Sequence, residues 1–440
     1  MGNANTAPLA DRVYDFMFEE EEGRVCEAIP EEACREAPRN FLLNVANGSA
    51  SKLAEQLVSP GVTLPWILDA IGAPVFFSGL LVPLRNGLSL LPQLAVSAWI
   101  RSRAVRKHVW TASAMVQTLS VAGMLLAVLF LSGTAAGIAI AAMVAVFSLA
   151  SGVASVSFKD VMAKTIPKGK RGRLLGARGT IGGILTLAAA VVLYAGIGGT
   201  ETRMPYIALL GAGVVLWLLA AAAFARIEEH PGATEGGRNA IDELRDAGAA
   251  LREDRNLARF VVERILLLAV PFLQPFYVVI ALSATGERIG GLALFVAASG
   301  LANVVSSPFW GALSDRDSRR VMTLAAGLGA ITGVAVIGAT LLPDAAQSSL
   351  LYMPALFLNG VAQGGTRLGR KTYLVDYAPA EKRPLYVAVA NTVVGVFTVG
   401  GAAVGALAQV TSAELAVAVL VAALLVGAVL PRRLVATATT

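Results

Sequence analysis

Charge is scarce in this chain. Of 440 residues, 15% are Asp, Glu, Lys or Arg and 56% are hydrophobic, whereas a soluble domain typically carries about 25% charge. So few polar groups cannot cover a water-facing surface, and the two or three soluble domains that the length alone would suggest are excluded. Histidine and cysteine are nearly missing, with two of each. His108 and His230 fall in or beside polar loops, and neither a zinc-binding His-Glu-x-x-His helix nor a phosphate-cradling P-loop occurs. A metallohydrolase, a nucleotide-driven motor and any other enzyme are therefore not expected, and no cofactor or metal is implied. Cys26 and Cys34 lie in a polar segment expected in the cytoplasm, where thiols stay reduced. Residues 1–40 contain no apolar h-region, so no cleavable signal peptide is expected. The opening Met1-Gly2-Asn3-Ala4-Asn5-Thr6 fits the loose myristoylation pattern and is read as chance.

Long hydrophobic runs are what the chain does have. A helix needs about 20 apolar residues to cross a bilayer, and such runs recur from Phe41 to Leu430. They predict an all-α membrane protein with twelve spans over 41–70, 73–100, 107–132, 135–162, 173–197, 205–227, 257–283, 289–313, 320–342, 348–373, 384–409 and 412–430. The first two are interrupted by Pro60 and Pro83, and Arg85-Asn86-Gly87 could equally form a turn. Residues 1–40 hold ten acidic residues against four Arg. Leu9, Val13, Phe16 and Met17 share one helical face there, as in a helix lying on a membrane surface. Pro30 and Pro38 break the chain before the first span. The domain plan is an acidic segment (1–40), a six-helix bundle (41–227), a linker (228–256), a second six-helix bundle (257–430) and a tail (431–440). In the linker, Ile241, Leu244, Gly248 and Leu251 share a face, predicting an amphipathic helix.

The net charge of +6 does not point to nucleic acid, because the cations sit in short clusters between apolar runs. Arg101, Arg103, Arg106 and Lys107 follow span two; Lys164, Lys168, Lys170, Arg171 and Arg173 follow span four. Arg316, Arg319 and Arg320 follow span eight, and Lys382 and Arg383 follow span ten. The opposite loops hold almost none, with Arg203 and Arg288 the exceptions. The positive-inside rule then puts both termini in the cytoplasm, with the chain crossing the inner membrane many times.

The halves look related. At an offset of 212, Lys159 falls on Lys371, Pro167 on Pro379, Lys170-Arg171 on Lys382-Arg383, Thr180 on Thr392 and Gly183 on Gly395. At 213, Arg103 falls on Arg316 and Arg106-Lys107 on Arg319-Arg320. Two parallel six-helix halves are a known transporter plan. Residues 311–320, Gly-Ala-Leu-Ser-Asp-Arg-Asp-Ser-Arg-Arg, resemble the loop signature G-x-L-x-D-R-x-x-R-R of the major facilitator superfamily. The corresponding first copy, residues 98–107, keeps its basic residues but has Ser102 where the signature has aspartate. The resemblance implies a gate built from Gly311, Asp315, Arg316, Arg319, Arg320, Arg103, Arg106 and Lys107, with the N-terminal half closing differently. Read without the family, the glycine permits close helix approach, and aspartate beside arginine is a breakable ion pair at a helix end. A solvated basic turn that only sets topology is the alternative reading. The glycines Gly176, Gly179, Gly182, Gly183 in span five resemble a drug–proton antiporter motif but lack its Gly-Pro.

Ionisable groups inside spans are costly, so each marks a candidate site. Span one carries Lys52 and Glu55, one turn apart and able to pair, on a face with Gly48, Ser51 and Ser59. Span two carries Arg85; span seven carries Glu263, Arg264, Gln274 and Tyr277; span ten carries Asn359, Gln363 and Arg367. Ser148, Ser151, Ser155 and Lys159 form a stripe on span four, where helix–helix hydrogen bonding is the simpler reading for the serines. Glu263 and Lys159 fall near span ends, where they can also simply meet water. The resemblance implies that spans one, four, seven and ten line a central cavity. Together these readings predict a secondary transporter of a small anionic or amphiphilic solute, working as a monomer by alternating access. It would be coupled to protons or another ion, with export favoured over uptake. Glu55 and Glu263 are the proton-carrier candidates, since burial raises a carboxylate pKa and a nearby lysine lowers it. A lipid or amphiphile flippase and a non-transporting assembly or delivery factor are the alternatives.

Overall fold

A computed structural model describes residues 31–167, 170–196, 203–232, 251–286, 289–314, 316–379 and 383–436. Its long helices form two six-helix bundles. The first contains α1 (Ala37–Leu57, resuming as Thr63–Ala70), α2 (Val75–Leu90 and Pro92–Arg101), α3 (Lys107–Phe130), α4 (Gly133–Thr165), α5 (Arg171–Gly196) and α6 (Met204–Ala225). The second contains α7 (Arg255–Leu266 and Ala269–Thr285), α8 (Ile289–Ser314), α9 (Ser318–Ala339), α10 (Ser349–Tyr377), α11 (Arg383–Gly400 and Ala402–Val410) and α12 (Ala413–Gly427). These limits lie within a turn of those expected from hydropathy. The surface helix expected at Leu9–Met17 and the linker helix expected around Ile241–Gly248 fall outside the described residues.

Eight of the twelve, α3 to α7, α9, α11 and α12, are long and apolar enough to cross a membrane on composition alone. The other four are α1, α2, α8 and α10. Polar residues inside α1 and α10 lower their hydropathy, and breaks in α1 and α2 shorten their helical pieces, for a reason that matters below: they wall the cavity. In α1, Pro60 offers no N–H, and the chain turns there with Val62 and Leu64 donating to the Ser59 carbonyl. In α2, the turn allowed for at Arg85-Asn86-Gly87 does not form. Those residues lie inside Val75–Leu90, and the break comes next to Pro92 instead.

Both described chain ends, the start of α1 and the segment after α12, lie at one face, here the termini face; the opposite is the far face. The bundles meet through α2 against α11 and α5 against α8. At the far face they are shut. Trp66 packs edge-on against Phe295 (centroids 5.8 Å apart), and the Phe76 N–H donates to Gln409 Oε1 at 3.0 Å. A Cβ added at Gly79 would lie 2.5 Å from the Gly405 Cα, so only glycine lets these backbones approach. Toward the termini face, Cβ atoms added at Gly172, Gly176, Gly179 or Gly311 would meet nothing within 4 Å. The bundles therefore splay apart at the termini face.

One expectation for the N-terminal segment is overturned. Cys34 is disulfide-bonded rather than a reduced thiol. It belongs to a short helix, Glu31–Arg35, packed on α1 and α4, which holds it half-buried in place instead of leaving it free in solvent.

Candidate functional site: a basic cavity between the bundles

Three connected compartments of ≈230, ≈420 and ≈210 Å3 occupy the space between the bundles, and Arg367 borders all of them. The deepest is walled by Lys52, Glu55 and Gln56 of α1, Arg85 and Asn86 of α2, Phe147 of α4, Gln274 of α7, Asn303 of α8 and Gln363 of α10. Helical spacing explains the α10 wall: Gln363, Arg367 and Lys371 recur every fourth residue and share a face. The second compartment adds Lys371 and runs to Gly179 and Gly183 on α5 and Trp310 on α8. The third adds Arg264 and Arg370, beside Pro271 and Thr398.

The carboxylate of Glu55 is held by Arg85, not by Lys52. The Arg85–Glu55 pair spans 3.2 Å, with the guanidinium also 5.1 Å from the centre of the Phe147 ring. Lys52 shares the α1 face with Glu55, yet the longer, forked side chain reaching in from α2 takes the carboxylate. Lys52 has no carboxylate within 4.0 Å among the described residues. Amides hold the other cations: Arg367 donates to Asn303 Oδ1 at 3.2 Å and Arg264 to Asn391 Oδ1 at 3.0 Å. Gln363 donates to Gln274 Oε1 at 3.1 Å, bridging α10 and α7 across the deepest compartment.

Three of the residues expected at the site are placed elsewhere. Tyr277 is fully buried and hydrogen-bonded to Thr332 of α9 at 2.9 Å, inside the second bundle. Asn359 is likewise buried and donates to the Val270 carbonyl at 3.2 Å. Both lie on the right helices but on faces turned into the bundle. Glu263 does not meet water at a span end. It is 0% exposed, with both carboxylate oxygens lacking a hydrogen-bond partner, and it faces α12 near Gly427. Its neighbour Arg264, about 100° further round the helix, borders the cavity instead.

Arg370, Lys371, Asn303 and Phe147 also wall the cavity, although periodicity did not single them out as site residues. Arg370 and Lys371 directly follow Arg367, and Lys371 stood out in the sequence only as a landmark of the repeat. Arg178 of α5 stands behind Lys52, over Phe158 (4.2 Å to the ring centre), and donates to Asn47 Oδ1 at 3.3 Å. Its signal was hidden in a stretch read only for glycines. On α4, Ser148 donates to its own helix at Val144 and Ser157 to the Arg106 carbonyl, which is helix packing rather than cavity lining.

At the termini face the two loop motifs are built differently. Glu229, from the chain following α6, accepts the backbone N–H groups of Arg106 (2.9 Å) and Lys107 (2.6 Å) and pairs with Lys164 at 2.7 Å. It thus caps the N-terminus of α3, whose own cap residue Arg106 offers no side-chain acceptor. Arg106 pairs with Asp160 of α4 at 3.1 Å, Lys107 donates to the Ile227 carbonyl, and Arg103 stacks on Trp99. Ser102, where the signature has aspartate, donates to the nearby Trp99 carbonyl. In the second copy, Asp317 caps α9, accepting from the Arg319 N–H at 3.0 Å, and forms ion pairs with Arg319 and Arg320. Arg316 is exposed, and Asp315 lies outside the described residues. Gly311 borders the second compartment rather than touching another helix. Behind this loop, Asp254 caps α7 and accepts the Tyr377 and Tyr386 hydroxyls at 2.8 Å, tying α7, α10 and α11 together.

Residues 268–439 match the model of the Major Facilitator Superfamily. Among curated proteins, the chain is 27% identical over 382 residues to the uncharacterized protein Rv2209 of Mycobacterium tuberculosis, covering 82% of this chain and 70% of that one. A protein of Mycobacterium bovis matches to the same extent. Among solved structures, a mutant of the nucleoside transporter NupG superposes with a TM-score of 0.71 at 11% identity, over 90% of this chain and 99% of that one. A POT family transporter gives 0.69 at 9% identity, over 92% and 98%. The xylose transporter XylE from E. coli, partially occluded and inward open, gives 0.65 at 13%, over 91% and 98%. Along nearly its whole length this multi-pass membrane chain has the fold of those solved transporters, and over residues 268–439 its sequence matches the Major Facilitator Superfamily model.

Proposed function

We propose that the protein is a secondary active transporter of a small anionic or amphiphilic solute, working by alternating access. The observation that carries this is charge. Lys52, Arg85, Arg264, Arg367, Arg370 and Lys371 border the cavity, and Glu55 is the only acidic residue among the described residues that does. Cations at mid-membrane depth are costly unless they face water or an anion, and a basic cleft in a low-dielectric wall concentrates anions. The cationic loops put the termini face in the cytoplasm. The splayed face then opens inward, where a cytoplasmic solute would load, and export is the direction we propose. Glu55 is the proton carrier of this reading. Protonation releases Arg85 to a solute anion, and loss of the solute restores the pair. Glu263, walled off from the cavity, is a less direct carrier.

A flippase is the second reading, favoured by one observation: the second compartment reaches the seam of α5 and α8, past Trp310 and Leu368, where a lipid tail could leave the cleft. Metabolite profiling of cells with the gene deleted and overexpressed separates the two. A soluble organic anion that builds up inside on deletion and outside on overexpression supports export. Accumulation of neutral or cationic compounds alone would refute the anion reading, and changes confined to lipids would favour the flippase.

A further inference from the structure

The cavity's positive charge is divided into two groups. Counting 3.6 residues per turn, Arg370 and Lys371 lie on opposite sides of Arg367 on α10, turned about 60° one way and about 40° the other. Lys371 joins Lys52 in the second compartment, and Arg370 joins Arg264 in the third. Arg367 borders both. No carboxylate lies within ion-pair reach of any of these five among the described residues, and Glu55 is engaged by Arg85. Among the described residues, the only side-chain acceptors on Arg264 and Arg367 are the neutral amides of Asn391 and Asn303, and Arg264 keeps a buried Nε with no partner. Behind Lys52, Arg178 also has a buried, unpartnered Nη1.

We infer that the solute is an organic anion with two negatively charged ends, one received by Lys52 and Lys371, the other by Arg264 and Arg370, with Arg367 between them. This rests on the reading of the cavity as an anion site. A singly charged solute would satisfy one group and leave the other as uncompensated charge. The guanidinium forks of Arg264 and Arg370 suit the flat oxygen pair of a carboxylate or phosphoryl group, which they can hold bidentately. The ammonium groups of Lys52 and Lys371 bind as point charges and tolerate either chemistry at the other end.

The full-length protein in detergent is titrated calorimetrically with succinate and glutarate (two charged ends), butyrate (one), glycerol 3-phosphate (one doubly charged end) and glycerol (none). Succinate or glutarate is expected to bind at least about tenfold tighter than butyrate, the worth of one added charge-assisted contact. Lys371→Gln, at a water-facing position, is expected to bring the dicarboxylate down to the level of butyrate. Its unfolding midpoint serves to confirm that the variant is folded. Equal binding of butyrate and the dicarboxylates, or preference for glycerol 3-phosphate over both, overturns the two-ended solute and leaves the anion site standing. Binding of glycerol alone overturns both. A dicarboxylate preference unchanged in both Lys371→Gln and Arg370→Gln, or no binding of any dianion at millimolar concentration, also overturns the inference.

Discussion

Replacing Gly79 by alanine is expected to open the far face. The added Cβ would stand 2.5 Å from the Gly405 Cα, 2.9 Å from Phe276 Cζ and 3.2 Å from the Gly405 nitrogen. Carbon atoms pack best at about 3.5–4.0 Å, so the overlap with the α11 backbone is on the order of 1 Å. Phe276 can tilt; the backbone of α11 can yield only by moving the helix. Overpacking of this kind costs about 1–3 kcal/mol. The contact joins the two bundles, so the cost falls on the far-closed arrangement and is relieved when the bundles part there. A bias of that size shifts the balance between the two arrangements by about 5- to 150-fold. The assay is pulsed electron resonance between spin labels on Ser132 and Ala345, which lie in the exposed α3–α4 and α9–α10 turns at the far face. The labels go into a background with Cys26 and Cys34 changed to serine. Gly79→Ala should add or enlarge a long-distance population. Gly338→Ala, where an added Cβ meets nothing, should match the parent. Identical distance distributions for a folded Gly79→Ala protein would refute the rocking of the bundles about this seal.

Glu55→Gln should abolish accumulation driven by an imposed pH gradient in proteoliposomes while leaving solute exchange intact, and intact accumulation would remove Glu55 as the carrier. Glu229→Ala removes the acceptor of two part-buried N–H groups and the ion-pair partner of Lys164, which keeps the Ala104 carbonyl, so it should cost about 2–4 kcal/mol, read as a lowered unfolding midpoint in detergent. Asp254 is held below its ordinary pKa: burial pushes it up, but the N–H groups of Leu257 and Asn256 and the Tyr377 and Tyr386 hydroxyls together outweigh that. A depressed folded pKa stabilises above the unfolded value, 3.8, and the contribution disappears as pH falls through the lower folded value. The unfolding midpoint of the parent should therefore fall more steeply with acidification in that range than that of Asp254→Asn. Tyr277→Phe loses one buried hydrogen bond to Thr332, worth about 0.5–1.5 kcal/mol, and should leave solute affinity unchanged.

The helices and their order were legible because a bilayer imposes a length on each span. The cavity was legible where a charge interrupts an apolar run, as at Lys52, Glu55, Arg85, Arg264 and Arg367. Which face of a helix looks inward was harder. Tyr277 and Asn359 have the period of a cavity wall, but bundle neighbours three helices wide bury several faces of α7 and α10, and a polar side chain can satisfy itself against any of them. Pairing was also beyond reach: Glu55 has Lys52 one turn away in sequence, while its actual partner Arg85 comes from another helix. The same is true of the capping of α3. Nothing in residues 98–107 reveals that a glutamate more than a hundred residues later completes that loop.

That last contact makes the first bundle a closed ring. Arg39 and Asn40, at the start of α1, bond Glu228, and Ala104, Arg106, Lys107 and Lys164 bond residues from Ile227 to Gly232. The beginning and end of the half-molecule are thus fastened to each other and to its middle before the chain sets out toward the second bundle. A protease or an engineer cutting just after Gly232 would leave that clasp whole, whereas a cut only a few residues earlier, ahead of Glu228, would spring it open. The natural seam of this protein is therefore set by hydrogen bonds and lies past the last residue of α6.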